Sequence, residues 1–232
     1  MSTIERKLRG PGWTEVTFGA LLSLMLGVVG AVLFLIAKPV VEVKELPKEP
    51  AKDTVYYVEG GRDSTKSREA TNKEKLFLGG HSVVFNEHEL NVLVVQHTSG
   101  AGAKTKPVPK AKPNEPPPPP PEDPLLSLGA PNFRVRENVL QVGAPLRLNA
   151  LGFEGQFIVQ ARGGFTKEGD QFVYSPSEIY VGSFPLHRVP ALQALVLKRF
   201  AAKLAAPAEY TAAWHKLANA TVAGSAVKLT MQ

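Results

Sequence analysis

The chain has 232 residues, of which 44% are hydrophobic, 20 are proline and none is cysteine, and its formal net charge is +6. This length allows one ordinary domain with extensions or two small domains, and the hydrophobic fraction excludes a wholly disordered chain. The lack of cysteine excludes disulfides, thiolate metal ligands and a cysteine nucleophile. Neither the apolar residues nor the prolines are spread evenly, so each segment has its own character.

An apolar run occupies residues 18–37 and contains no charged side chain. As a helix, 20 residues would be about 30 Å long, which matches the hydrocarbon core of a bilayer. Trp13 precedes the run as an interfacial aromatic residue, and Lys38-Pro39 ends it. The alternatives are a buried core helix and a cleaved signal peptide. The length of the run, with no small-x-small cleavage motif after it, favours an uncleaved signal-anchor.

The orientation of this predicted transmembrane helix follows from its flanks. Basic residues occur on both sides, so the positive-inside rule does not decide between the two orientations. A short basic tail, residues 1–17, ahead of a large C-terminal portion is typical of an anchor whose tail is cytoplasmic. We therefore predict a single-pass protein of the cell (inner) membrane, with an extracytoplasmic C-terminal domain.

Residues 38–75 alternate lysine with glutamate and contain three prolines near their start, which predicts an extended polar stalk. Within it, residues 53–58 are typical of a short strand, and residues 64–75 of a solvated helix or a disordered stretch. Residues 104–124 are rich in proline and predict a polyproline II linker. A spacer is favoured for this linker over a ligand for an SH3-like or WW-like groove.

Residues 76–103 predict a small strand-helix segment that packs on the main domain. Strands are expected at 76–78 and 82–85, around a glycine turn. Asn86 is a suitable N-cap for the following helix, with Glu89 three residues later as its capping-box partner.

Residues 125–232 predict an α+β domain, an antiparallel β-meander packed with one or two C-terminal helices. Glu137-Asn138 is a hairpin signal, and the strands around it alternate apolar and polar residues, which is typical of a sheet with one buried face. Helices are expected at 189–204 and 207–218, and a single strand at 222–231.

The polar face of this sheet carries the candidate binding residues, Arg134, Arg136, Arg147 and Arg162. Guanidinium groups in a row are suited to anionic head groups, glycans or carboxylates. The alternative is a solvated face whose charge keeps the domain soluble.

Catalytic motifs are not evident. The five histidines lack metal-ligand spacing, and neither a phosphate loop nor a nucleophile elbow occurs. We predict no catalytic residue, metal, cofactor or nucleic-acid partner. An enzyme is the third option, and a buried Glu–His pair of perturbed pKa would indicate it.

Two segments are similar to uncharacterised bacterial envelope proteins with a signal-anchor and a lipid-binding-like (TULIP-like) ectodomain. One is FNEHELN at residues 85–91, which is similar to their acidic helix start. The other joins residues 164–176 to residues 180–186, which look like their strand pair and helix entry. This resemblance covers about residues 76–97 and 133–230, and it implies an apolar ligand or a scaffolding role in the envelope.

The overall plan also resembles TonB-type energy transducers. Lys106-Pro107, Lys112-Pro113 and Glu115-Pro116 look like the linker of that family, and residues 155–159 are loosely similar to its C-terminal strand. The sequence thus favours a non-catalytic, membrane-anchored binding or scaffold protein, with an apolar or lipid ligand between the sheet and the helix at 189–204. Its expected partners are the membrane, through residues 18–37, and a lipid or an envelope protein. The alternative is a TonB-like transducer of energy or force across the envelope.

Overall fold

The computed structural model describes residues 12–49, 51–52, 54–102, 126–150, 153–190, 192–194 and 207–232. It shows a mixed α+β fold with an N-terminal apolar helix and antiparallel sheets, which confirms the predicted fold class. The predicted proline-rich linker at 104–124 lies outside the described residues. So does most of the predicted helix at 189–204, of which residues 190 and 192–194 are described and helical.

The described elements alternate between helices and strands in the first half of the chain. The helices are α1 (Trp13–Ala37), α2 (Ser67–Leu78), α3 (Glu87–Gly102) and α4 (Ala208–Trp214). The first strands are β1 (Val41–Val43), β2 (Tyr56–Val58), β3 (Val83–Asn86), β4 (Leu126–Leu128), β5 (Asn132–Arg136) and β6 (Val139–Ala150). The later strands are β7 (Phe153–Glu168), β8 (Gln171–Val181), β9 (Phe184–Pro185), β10 (Leu217–Ala223) and β11 (Ala226–Met231).

Helix α1 contains the predicted apolar run and is long and apolar enough to cross a membrane. None of its residues is buried in the molecule. With 25 residues it is about 37 Å long, which exceeds the hydrocarbon thickness of about 30 Å. Its C-terminal end contacts the rest of the chain, because Val32, Leu35 and Ile36 pack against a small core cluster formed by Ile179, Phe184 and Leu186.

The main sheet has six antiparallel strands in the order β4-β6-β7-β8-β9, with β5 pairing β6 beyond the end of β4. The predicted hairpin between β5 and β6 is confirmed. Glu137 and Asn138 have φ of 52° and 65°, which is the conformation of a type I′ turn.

Two prolines lie inside strands that the sequence divides into shorter pieces. Strand β6 continues through Pro145, and β8 continues through Pro176. Pro145 occupies the gap between the part of β6 that pairs β4, which starts at Leu146, and the part that pairs β5, which ends at Gly143. A residue without an N–H is tolerated there because neither β4 nor β5 pairs with this position, and the Pro145 carbonyl still accepts a hydrogen bond from Gly129 N (2.7 Å).

The second sheet has the order β10-β11-β3 and is also antiparallel. The prediction of one strand at 222–231 is wrong, because Gly224 and Ser225 form a turn that divides it into the hairpin β10–β11. Strand β3 pairs β11, with Phe85 opposite Val227. The segment 76–103 therefore joins the C-terminal hairpin through its strand.

The predicted strand at 76–78 is also wrong, since these residues are the last turn of α2. A helix here buries Ala70 and Phe77 on one face, seven positions apart. The helix ends at the glycine pair with a double hydrogen bond, from Gly80 N to Phe77 O (3.0 Å) and from His81 N to Leu76 O (2.9 Å). This is the Schellman arrangement, and it explains the glycine at position 80, whose φ is +84°.

Residues 41–62 differ from the predicted polar stalk. Strand β1 pairs β2 in parallel, and Tyr57 and Val58 are buried. This segment crosses the polar face of the main sheet, where Tyr56 and Val58 offer carbonyl oxygens to polar side chains of the sheet. The charge pattern alone could not show this, because backbone carbonyls make the contacts.

Candidate functional site

A cavity of about 350 Å³ lies between the apolar face of the main sheet, helices α2, α3 and α4 and the second sheet. Its volume is near the lower end of the range of ligand pockets in proteins, about 300–1,000 Å³. Aromatic and aliphatic side chains from all these elements line it, and they include Phe77, Phe85, Leu93, Phe133, Leu140, Val142, Phe165 and Trp214.

The alternation of residues along the sheet strands places these side chains on one face. Val142 is opposite Ala161 on β7, and Phe165 is opposite Tyr174 on β8, so their side chains share the apolar face. Trp214 of α4 meets Phe165 at a ring distance of 5.7 Å and Phe77 of α2 at 6.4 Å. These wide rings hold the helices away from the strands, and the space between them is the cavity.

Two polar groups in the cavity wall are occupied by bonds within the protein. The Tyr174 hydroxyl donates to the carbonyl oxygen of Leu140 (2.8 Å) and lies 3.0 Å from that of Ala161, and burial raises the pKa of Tyr174. The Trp214 indole N–H donates to the carbonyl oxygen of Phe172 (2.6 Å). These groups present their apolar surfaces to the cavity.

A polar cluster marks one edge of the cavity, where Glu74 and Tyr210 belong to the lining. Oε1 of Glu74 is 2.6 Å from Nε2 of His97 and accepts a hydrogen bond from the Tyr210 hydroxyl. Burial, followed by the bond to Glu74, raises the pKa of Tyr210. The Glu74 side chain is 13% exposed, whereas that of His97 is 57% exposed. The cluster therefore lies between the cavity and solvent.

Glu74 and His97 form a Glu–His pair, which is the type of pair that would indicate an enzyme if it were buried. It differs from that description, because His97 is more than half exposed. Glu74 and His97 are 23 residues apart on different helices, so sequence spacing gave no signal for their contact.

The acidic motif at residues 85–91 joins α3 to the main sheet and to the loop that follows β2. The predicted capping box is confirmed, since Asn86 N donates to Glu89 Oε2 and Glu89 N donates to Asn86 Oδ1, both at 2.9 Å. Glu89 is fully buried and its Oε1 is 2.6 Å from Nζ of Lys73.

Two further residues of the motif bind the edge of β5. Glu87 accepts hydrogen bonds from Val135 N (3.0 Å) and Gly61 N (2.6 Å). The Asn91 amide accepts from Phe133 N and donates to Phe133 O, both at 2.7 Å. Side chains of α3 thus satisfy backbone groups that an unpaired strand edge would leave open.

The four predicted anion-binding arginines do not form one site. Arg162 Nε donates to Gln141 Oε1 and its Nη2 donates to Tyr56 O, both at 3.1 Å, so its guanidinium holds the segment before α2. Arg147 is exposed on the same face, six residues further along β6 than Gln141. That separation is about 20 Å along a strand.

Arg134 and Arg136 remain near one another on β5. Burial lowers the pKa of the Arg134 guanidinium, and Nε of the exposed Arg136 is 4.0 Å from Oε2 of Glu87. The recognition of anionic head groups by Arg134, Arg136, Arg147 and Arg162 stays a prediction.

Two buried glutamines, Gln141 and Gln160, lie on the polar face of the main sheet. Gln160 is fully buried, and neither its Nε2 nor its Oε1 has a hydrogen-bond partner among the described residues. Gln141 donates to Val58 O at 3.0 Å. Tyr57 lies nearby, and its pKa is raised to about 12 by burial and by the charges of Glu59 and Glu42. The chain before α2 therefore makes a second, polar layer over the sheet.

No family model, no curated protein and no solved structure matches this chain. The two resemblances drawn from the sequence therefore stay predictions. The cavity is the feature from which a function can be inferred, and its described lining residues come from α2, α3, α4 and the two sheets. Most of the predicted helix at 189–204 lies outside the described residues. Phe165, Tyr174, Tyr210 and Trp214 line the cavity, and this group of aromatic residues is the sequence feature that could have indicated it.

Proposed function

We propose that this chain is a membrane-anchored, non-catalytic binding protein of the cell envelope, which holds an apolar or lipid ligand in the cavity beneath the main sheet. In this proposal α1 is the transmembrane anchor and the remainder is extracytoplasmic. The cavity is the observation that carries the proposal.

Three properties of the cavity support a ligand rather than a packing defect. Its volume is about 350 Å³, whereas voids in protein cores seldom exceed the size of a water molecule. Its wall is aromatic and aliphatic, with the polar atoms of Tyr174 and Trp214 turned to backbone carbonyls. An apolar space of this kind is a poor site for water and a good one for an apolar ligand.

The position of the anchor also supports the proposal. The end of α1 packs on Ile179 and Phe184 of the same sheet that forms the cavity, and on Leu186 just after it. A domain held in this way stays close to the bilayer surface, where apolar ligands are concentrated.

Photolabelling with an alkyl diazirine tests the proposal in membranes that contain the full chain. The probe partitions into the bilayer, so labelling of α1 serves as an internal reference. We expect additional labels on peptides that contain Phe165 and Trp214. Val142→Trp fills the cavity and should remove these labels while α1 stays labelled. Val139→Trp, at an exposed position of the same strand, is the matched control and should leave both sets unchanged.

Labelling confined to α1 in the wild-type protein would contradict the proposal. Leu93→Trp, which enters the cavity from α3, is a second filling variant in case Val142→Trp fails to fold.

A further inference from the structure

The charge at the edge of the cavity restricts the ligands that fit it. Among the described residues that line the cavity, Glu74 is the one with an ionisable carboxyl group. It projects from α2, and its side chain is 13% exposed. A ligand that fills the apolar space therefore places one end near this carboxylate.

The hydrogen bonds of Glu74 leave one oxygen available. His97 and the Tyr210 hydroxyl both bond to Oε1, and no described residue donates to Oε2. These two bonds tie α2 to α3 and α4 and fix the carboxylate at the cavity edge. The site thus presents an oriented acceptor, and its other polar wall groups are already paired.

We propose that the ligand is a single-chain amphiphile whose uncharged head donates a hydrogen bond to Oε2 of Glu74, with its alkyl chain in the cavity. This inference rests on the proposed function and names the ligand class. A hydroxyl head supplies the donor that the carboxylate requires. An anionic head, such as that of a fatty acid, would bring a second negative charge to a partly desolvated carboxylate, which is unfavourable.

The size of the effect follows from the type of bond. A hydrogen bond to a charged group contributes more than one between neutral groups, and loss of it changes affinity by about tenfold or more. We therefore expect an alkanol to occupy the cavity at a concentration about tenfold lower than the matching alkanoate.

Two diazirine probes of equal chain length, an alkanol and an alkanoate, test this inference at neutral pH. The full chain in membranes is titrated with each probe, and labels on the peptides that contain Phe165 and Trp214 are divided by labels on α1. This ratio corrects for the different partitioning of the probes. The wild-type protein should prefer the alkanol, and Glu74→Gln should bring the two titrations together.

Two further variants separate the role of the carboxylate from general effects on α2. Glu69→Gln changes an exposed carboxylate on the same helix and should keep the preference. Glu74→Asp keeps the charge but draws the carboxylate back from the cavity edge, so the preference should weaken, and this variant serves if Glu74→Gln fails to fold.

The possible failures are distinguishable. Equal titrations in the wild-type protein, or a preference that survives Glu74→Gln, would overturn the inference about the head group. A preference that stays unchanged in Glu74→Asp would also overturn it. The absence of any cavity label with either probe would instead overturn the proposed function.

Discussion

Gln141 and Gln160 lie on adjacent strands of the main sheet, on the same face, and both are buried. Gln141 is bonded to Val58 O and to Arg162, whereas both polar atoms of Gln160 lack partners among the described residues. The cost of burial is therefore offset by hydrogen bonds at one position only.

Substitution of the two glutamines by methionine should have different effects on the free energy of unfolding. Gln160→Met should leave the free energy of unfolding unchanged or raise it by about 1 kcal/mol, because an unsatisfied buried amide is removed. Gln141→Met should lower it by about 2 kcal/mol, since Val58 O and Arg162 lose a partner. Urea unfolding of the two variants measures both values. A clear loss of stability in Gln160→Met would show that the amide has a partner.

The two carboxylates that contact Lys73 provide a second matched pair. Glu89 is buried and also caps α3, whereas Glu69 is exposed. Glu89→Ala should lower the free energy of unfolding by about 3 kcal/mol, since it breaks a buried ion pair and a helix cap. Glu69→Ala should change it by less than about 1 kcal/mol. Similar losses in the two variants, measured by urea unfolding, would contradict the structural role of Glu89.

Hydrogen-bonded pairs of residues that are close in the sequence were predictable, whereas pairs that are distant in the sequence were not. The capping box joins residues three positions apart, so the spacing of Asn86 and Glu89 was enough to predict it. The bonds of Asn91 to Phe133 and of Glu87 to Val135 span 42 and 48 residues. Their partners are backbone groups, which have no sequence signature. The same reason explains why Arg162 was assigned to a free anion face although it binds Tyr56 O.

Helix α1 and the β8–β9 turn are joined at the backbone. Ser183 N donates to Leu35 O at 3.0 Å, and its hydroxyl donates to Lys38 O at 3.2 Å. These bonds satisfy carbonyls at the C-terminal end of the helix, which has no further turn to pair them. Gly182 permits the approach, because it has a φ of +58° and a Cβ at this position would lie 2.2 Å from Ile36 O.

Gly182→Ala should separate the turn from α1. Gly169 is the matched control, since its φ is +61° but a Cβ there would meet nothing within 4 Å. Both substitutions carry the left-handed backbone penalty of about 1–2 kcal/mol. Hydrogen exchange of peptides that contain Ser183 should become faster in Gly182→Ala alone. Equal exchange in the two variants would mean that the turn does not hold the helix.

Element types were predictable where the sequence signal was strong. These signals are the unbroken apolar run of α1, the turn residues of the β5–β6 hairpin and the apolar–polar alternation along the strands of the main sheet. The predicted boundaries of helices and strands were wrong where tertiary packing overrides the local conformational preference of a residue. Pro145 is accommodated by the gap between β4 and β5. Leu76-Phe77-Leu78 looks like a strand by composition, but burial of Phe77 beside Trp214 keeps it helical.

The transmembrane helix, the segment after it and the C-terminal domain contact one another more extensively than the predicted plan of anchor, extended stalk and separate domain implies. The end of α1 contacts the main sheet, residues 41–62 cover its polar face, and α2 and α3 close the cavity on its apolar face. The alternative of a TonB-like transducer stays a prediction. It requires a proton-motive complex that engages residues 18–37, and removal of such a complex without effect on this protein would contradict it.

Native mass spectrometry of the full chain, purified from membranes in a mild detergent, tests the central claim most directly. The wild-type protein should carry a bound apolar molecule of defined mass in addition to detergent. Val142→Trp should lose this molecule, and Val139→Trp should retain it. A wild-type protein without such an adduct, or an adduct that persists in Val142→Trp, would contradict the assignment of the cavity as a ligand site.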